Sequence, residues 1–241
     1  MATAQHAIAL DGYAILGAGS MHDQLSRAVG PAFDSEWQAF VESWNHLEPD
    51  PYLASVGLTR RRRHAVAYLD MEDGAVTFGP HEPHYQSQVY NALQGGIDRW
   101  FEPITDDIKN NVCLQGLLAF CAGLFVEQAP SVELWKIEIH QFRIEAYPDR
   151  LGEPTPEGTH RDGVDFVAVT LIERHNILSG TTSVHSLSGE ELAHFTLTRP
   201  LDTVLVDDQR LAHGVTAVSP DDPSELAWRD VLVITLKRVE S

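Results

Sequence analysis

The sequence predicts an α+β fold, mainly β, in which a helical N-terminal support packs on a C-terminal antiparallel β-core. Three observations predict it. Apolar residues recur at helical spacing through the N-terminal half, and from Trp135 onward short runs rich in β-branched residues alternate with turn residues. In addition, no internal repeat, low-complexity tract or long linker divides the 241 residues. The expected organisation is a single domain over residues 1–241, with 1–130 a helical and strand-bearing support and 131–241 the β-core.

Taken in order, the first expected helix starts at Ser20 and carries Met21, Leu25 and Val29. Trp37, Phe40, Val41 and Trp44 fall at i, i+3, i+4 and i+7, the stripe of an amphipathic helix. Asp34 or Ser35 is placed to cap it, Ser35 and Gln38 having capping-box spacing. A third helix is expected from Asp107 to Val126. Its apolar residues, among them Ile108, Leu114, Leu118 and Phe125, cover most of its surface, so it should lie under a sheet. Seven strands follow: Trp135–Tyr147, Val164–Glu173, Thr182–Leu187, Ala193–Thr198, Thr203–Val206, Gly214–Val218 and Asp230–Lys237. Pro148-Asp149, Ser179-Gly180, Ser188-Gly189, Arg199-Pro200 and the run from Ser219 to Pro223 separate them. Strands at this spacing build a sandwich, a barrel or a jelly roll.

The 17 Lys and Arg stand against 35 Asp and Glu, a formal charge of −18 that stays negative even with all 12 histidines protonated. Such a chain repels phosphate backbones and anionic membranes, so neither nucleic acid nor membrane is an expected partner. A hydrophobic content of 43% supports a packed core and argues against wholesale disorder. The longest near-continuous apolar stretch, Val164 to Ile172, contains Asp165 and Thr170 and falls short of the roughly 20 residues a membrane helix needs. Residues 1–6 carry neither a basic nor an apolar leader region, so no signal peptide is expected. Cys113 and Cys121 have no CxxC or metal-like spacing and sit in the apolar helical pattern. They read as buried free thiols of a protein in a reducing, cytoplasmic compartment.

The chemistry concentrates in Thr159-His160-Arg161-Asp162-Gly163, just before the strand beginning at Val164. His160 and Asp162 are i and i+2, so in extended backbone their side chains project from one face and can take adjacent positions on one metal. Standing alone, a His-x-Asp pair is more often a surface ion pair. His213, followed by Gly214 at the start of a later strand, is the natural third ligand. Two histidines and one carboxylate form the facial triad of non-haem Fe(II) oxygenases, which leaves coordination positions open for a bidentate 2-oxo acid and dioxygen. Arg229 opens the last strand and is placed to pair with a far carboxylate of such an acid. The bland reading of Arg229 is a surface ion pair.

These residues belong to a longer ordered set: the segments 58–64, 85–91, 95–104, 140–144, 156–163, His213-Gly214-Val215 and Arg229-Asp230-Val231-Leu232. Through them the chain resembles, over nearly its whole length, the 2-oxoglutarate/Fe(II) dioxygenase family that includes bacterial L-isoleucine dioxygenase. The resemblance implies a double-stranded β-helix, or jelly roll, with His160, Asp162 and His213 holding Fe(II) and Arg229 anchoring the co-substrate 2-oxoglutarate. It also implies the reaction: O2 and 2-oxoglutarate are consumed, succinate and CO2 are released, and an unactivated C–H bond of a small molecule is hydroxylated. A free L-amino acid or a derivative is the implied substrate class. Many relatives carry a Ser two residues after the anchoring Arg; here Val231 stands in its place. Thr182 is the candidate for the missing hydroxyl.

On the substrate side, Gln141 and Arg143 alternate on one face of the strand before the metal motif, beside Ile137 and Ile139. An inward Arg143 would bind a substrate carboxylate; the structural alternative is an ion pair with one of the many acids. Gln86 and Tyr90 match the family and are further candidates to line the pocket. The run Arg60–Arg63 looks out of context like a nucleic-acid patch. Because it leads into a strand, its side chains should face opposite sides, with one or two toward the pocket. Three alternatives to an amino-acid hydroxylase share these residues. They are a non-catalytic jelly-roll protein that binds metal or ligand, a zinc hydrolase, and an oxygenase of a peptide or biosynthetic intermediate.

Overall fold

The computed structural model describes residues 2–55 and 57–240. Its helices are α1 (Ala2–Asp11), α2 (Ala18–Val29), α3 (Phe33–Glu42), α4 (Pro51–Ala54), α5 (Asp106–Lys109) and α6 (Val112–Phe125). The strands of the N-terminal half are β1 (Tyr13–Leu16), β2 (Glu48–Pro49), β3 (Arg60–Asp70), β4 (Val76–Phe78), β5 (His84–Tyr85) and β6 (Asp98–Arg99). Those of the C-terminal half begin with β7 (Leu134–Ala146), β8 (Phe166–His175), β9 (Ile177–Ser179), β10 (Thr182–Ser186) and β11 (Glu191–Phe195). They end with β12 (Thr203–Asp207), β13 (Leu211–Val215), β14 (Val218–Pro220) and β15 (Ala227–Arg238).

A large antiparallel sheet runs in the order β1-β12-β8-β15-β7-β3-β2, with β4 also on β3. Facing it is a smaller layer made of β11-β10-β13 and β14-β9. The chain after β7 crosses to this layer, where Gly152 bridges Val218 and His160 bridges His213. The result is a jelly roll with helices against the outer face of its large sheet.

Strict alternation builds the layers, because both faces of the large sheet are covered. On β8, Phe166 and Ala168 face the helices, while Val167 and Leu171 face the small sheet. Leu205 and its neighbours Val204 and Val206 divide in the same way, as do Leu232 and Val231. The outer core joins Met21, Leu25, Phe40 and Trp44 to the largely apolar helix α6. Phe125 stacks on Phe166 at 4.6 Å between centroids. Among the described residues, no helix is long and apolar enough to cross a membrane.

Three expectations are corrected. The helix expected over 107–126 is two, because Asn111 caps α6, its side-chain oxygen accepting from the backbone of Cys113 at 2.9 Å and Leu114 at 3.4 Å. Neither Asp34 nor Ser35 caps α3, which starts earlier, straight out of a 3-10 turn over Gly30–Ala32. The support is also less separate than expected: β1 and β3 belong to the same sheet as β7 and β15. Cys113 and Cys121 are free and buried, and burial pushes their thiols up to about 11 and about 12.

Candidate metal centre

His160 and His213 come from segments far apart in the chain and are joined as a bridge pair between the sheets. Their imidazole centroids lie 4.8 Å apart. Asp162 faces both, with Oδ1 3.6 Å from His160 Nε2 and Oδ2 3.5 Å from His213 Nε2. The three donor atoms all lie within 4.8 Å of one another.

The surroundings fix how these side chains point. His160 Nδ1 sits 3.0 Å from the Gly158 carbonyl, so in the neutral imidazole that a metal would bind the proton belongs on Nδ1 and the lone pair on Nε2. The backbone N–H groups of Asp162, Gly163 and Val164 all donate to the carboxylate of Asp208, at 2.9, 2.8 and 3.1 Å. Gln86 donates its side-chain N–H to Asp162 Oδ1 at 3.2 Å. Gly163 has φ +78°, and a Cβ there would meet the Tyr90 ring at 2.4 Å, so the motif ends in glycine for both reasons.

Burial works against charge on His160, but the hydrogen bond and charge of Asp162 outweigh it and raise its pKa to about 9. Burial holds His213 down at about 4. Desolvation opposes the Asp162 carboxylate, yet the two histidines keep its pKa well below the ordinary range. Burial, and then the neighbouring Asp162, lift Asp208 to about 7.

The triad opens into a cavity of about 440 Å³ between the sheets, lined by His160, Asp162 and His213 together with Val169, Val215, Val231 and Arg229. That volume lies in the range of small-molecule sites. Arg229 is 2% exposed, and its Nε and Nη2 have no partner among the described residues. Directly opposite it on β8 lies Arg174, whose Nη1 is also buried without a partner. Two like charges opposed across neighbouring strands repel unless an anion lies between them. Burial, and then Arg174, lower the pKa of Arg229 to about 10.

Other sequence-predicted residues divide. Gln86 lines the cavity beside Asp162. Of the arginine run, Arg60 and Arg62 line the cavity, whereas Arg61 bonds Glu145 and Arg63 donates to the carbonyls of His46 and Pro103. The inward placement of Gln141 and Arg143 is corrected. They lie on the helix side of β7, where Gln141 donates to Ser43 at 2.8 Å and Arg143 forks onto Asp230 at 2.8 and 2.6 Å. Their apolar neighbours Ile137 and Ile139 do face a core, but the outer one. Tyr90 packs on Gly163 and under Arg161, outside the main cavity. Thr182 is buried on β10 and is not among the residues lining the cavity, so the structure does not bring its hydroxyl to Arg229.

Sequence reasoning missed Arg174, Asp208 and Arg99. Arg174 becomes visible only through the β8–β15 register. No local motif marks Asp208, which reaches the metal loop from the end of β12.

A family model described as 2OG-Fe dioxygenase matches residues 41–235. The chain belongs to the 2OG-Fe dioxygenase family. It is 30% identical over 211 residues to 3(1)-hydroxy-L-isoleucine 4-dioxygenase of Pantoea ananatis, covering 86% of this chain and 83% of the relative. To L-isoleucine-4-hydroxylase of Bacillus thuringiensis it is 29% identical, covering 85% and 83%. The crystal structure of a bsmA homolog from Methylobium petroleophilum PM1 superposes with a TM-score of 0.88 at 34% identity, over 98% of this chain and 92% of that one. That of IDO from Bacillus thuringiensis superposes at 0.81 with 17% identity, over 99% and 95%, and shows the shared fold.

This dioxygenase is therefore an oxidoreductase that uses Fe(II), 2-oxoglutarate and O2. The residues present suit both absent groups. Two imidazole lone pairs and one ionised carboxylate converge as iron donors, and His213 keeps an unpartnered, buried Nδ1. The unpartnered guanidinium edge of Arg229, on the cavity wall, suits a carboxylate of 2-oxoglutarate.

Proposed function

We propose that this dioxygenase hydroxylates an unactivated C–H bond of a free L-amino acid or a close derivative. In this reading His160, Asp162 and His213 hold the iron, and Arg229 holds the far carboxylate of 2-oxoglutarate, with Arg174 opposite it on β8 adding positive charge behind the cavity wall. One observation carries it: the three donors and the unpartnered Arg229 line a single cavity of about 440 Å³. Such a volume suits 2-oxoglutarate beside a small substrate and disfavours a folded peptide chain. The substrate class is supported by the printed activities of the Pantoea and Bacillus relatives, both of which act on isoleucine or its hydroxylated form.

Once bound, Fe(II) and 2-oxoglutarate supply the oxidising power: with O2 they yield succinate and CO2 and place one oxygen atom in a C–H bond. The chain's own residues do the rest. The Gly158 carbonyl holds His160 in the tautomer whose Nε2 faces the centre. Asp208 pins the loop that carries Asp162, and Gln86 restrains one Asp162 oxygen. Val169, Val215, Val231 and Val233 form an apolar wall that limits water at the reacting bond. Neither an acid–base pair nor a nucleophile is required of the protein. A cytoplasmic location is proposed with the same reading, supported by two buried free thiols.

The test is a screen of the proteinogenic L-amino acids and their hydroxylated derivatives for stimulated succinate release, with mass spectrometry of the product. At least one should raise succinate formation and gain one oxygen atom. Succinate release that no amino acid stimulates would refute the substrate class.

A further inference from the structure

The cavity wall formed by β3, β6 and β7 carries a second polar group that iron and 2-oxoglutarate leave unused. Glu138 lies at its centre. His84 Nδ1 is 2.5 Å from Glu138 Oε2, and His64 Nε2 and His140 Nε2 lie 3.5 and 3.6 Å from it. Beside this cluster stand Arg62 and Arg99, each 2% exposed.

Three histidines and a glutamate could suggest a second metal, but the hydrogen bonding points elsewhere. Arg62 Nη2 lies 2.6 Å from His140 Nδ1. A guanidinium only donates, so Nδ1 accepts and the His140 proton sits on Nε2, facing Glu138. The His140 lone pair is thus spent on Arg62, and an ammonium, Lys136, stands 3.7 Å from Glu138 Oε1. The set is a hydrogen-bonded acid beside cations.

Its charges are incompletely matched. Arg60 donates Nε and Nη2 to a single oxygen of Asp50, at 3.2 and 2.8 Å, and Arg62 reaches that oxygen only at 3.7 Å. Lys136 has its close partner in Glu82, at 3.0 Å. Arg99 spends its terminal N–H groups on the neutral amides of Gln94 and Gln86. The Nε atoms of both Arg62 and Arg99 are buried and unpartnered. Two guanidiniums with no carboxylate at hydrogen-bonding distance, and one carboxylate whose Oε1 has its nearest ammonium only at 3.7 Å, thus line one cavity wall.

We propose that this wall is the receptor for the head group of the substrate, an α-amino acid with free carboxylate and free amine. Arg62 and Arg99 take the carboxylate and Glu138 takes the ammonium. The inference rests on the amino-acid reading above and deepens it. The head group would lie close to the metal centre through a defined chain: Arg99 donates to the Gln86 carbonyl at 2.8 Å, and the same amide donates to Asp162 Oδ1 at 3.2 Å.

The test takes the amino acid that most stimulates succinate release and compares it with its α-amide and its N-acetyl derivative. Binding is measured by calorimetry and turnover by succinate. The expected result is that each derivative loses about a hundredfold or more in affinity, since a site built for a polar group rejects analogues lacking it. Arg99→Gln should erase discrimination against the amide, and Glu138→Gln discrimination against the N-acetyl form. Derivatives that bind within about threefold of the free amino acid would overturn the head-group receptor while leaving the amino-acid reading intact. If no amino acid or hydroxylated derivative stimulates turnover, both readings fall. Because the analogue comparison is made on the unaltered enzyme, it decides the matter even if a variant fails to fold.

Discussion

The backbones of His160 and His213 are hydrogen-bonded to each other in both directions, each N–H reaching the other's carbonyl at 2.9 Å. The spacing of these two proposed metal ligands from distant parts of the chain is therefore set by a β-bridge rather than by loop conformation. Gly214 sits at the same crossing, where an added Cβ would lie 3.2 Å from Thr159 Cα and 3.3 Å from the Gly158 carbonyl. Gly214→Ala must push the His160 segment away. We expect Fe(II) affinity to fall about tenfold, the range seen when support around metal ligands is disturbed. An Fe(II) titration checks this, and unchanged affinity would show that the bridge does not govern ligand spacing.

Arg174 and Arg229 oppose each other on adjacent strands with unpartnered nitrogens. Binding of 2-oxoglutarate should relieve their repulsion and raise the melting temperature of the enzyme. In Arg174→Ala the repulsion is gone, so the ligand-induced shift should be smaller and the Kd for 2-oxoglutarate about tenfold weaker. Equal shifts in the two proteins, read by thermal denaturation with and without the ligand, would remove Arg174 from the site.

Arg143 belongs to stability rather than to substrate binding. Its side chain is 12% exposed and its partner Asp230 is fully buried. Arg143→Ala strands a buried carboxylate, which costs about 3 kcal/mol. The expected outcome is a lower melting temperature with the substrate KM unchanged in the molecules that remain folded. A raised KM at unchanged stability would instead restore Arg143 to the pocket.

Asp50 offers a test of pH dependence. Burial opposes its charge, but Arg60 and Arg62 outweigh burial and hold its pKa below the usual 3.8. A carboxylate depressed in the folded state stabilises above its unfolded value, and the stabilisation is lost as pH falls through the folded pKa. Asp50→Asn keeps the cap that now accepts from Tyr52 and Leu53 but loses the charge. The variant should melt below the parent at pH 7, with the gap closing as pH drops below about 4. A gap independent of pH would mean that the charge is not what Asp50 contributes.

Much of this was legible in the sequence where the signal is local. The strands from β7 to β15 follow β-branched runs and turn residues, and the His160–Asp162 spacing put two donors on one side of an extended segment. What was illegible depends on partners remote in the chain. Period-two spacing shows that Gln141 and Arg143 share a face with Ile139, but both faces of this sheet are covered, so apolar neighbours do not say which core they face. Likewise Asn111 ends one helix and starts another through its own side chain, a cap hidden inside an otherwise continuous apolar pattern. Thr182 shares a buried face of β10 with Val184, yet pairing with β13 and β11 leaves it off the cavity wall.

If His160, Asp162 and His213 hold Fe(II) in contact with 2-oxoglutarate, an anaerobic spectrum must show it. Mixed anaerobically with Fe(II) and 2-oxoglutarate, the protein should show a weak visible metal-to-ligand charge-transfer band. His160→Ala and Asp162→Ala, confirmed as folded by circular dichroism, should lack it. A band that survives in those variants, or that is absent from the parent protein, would contradict the assignment of the centre.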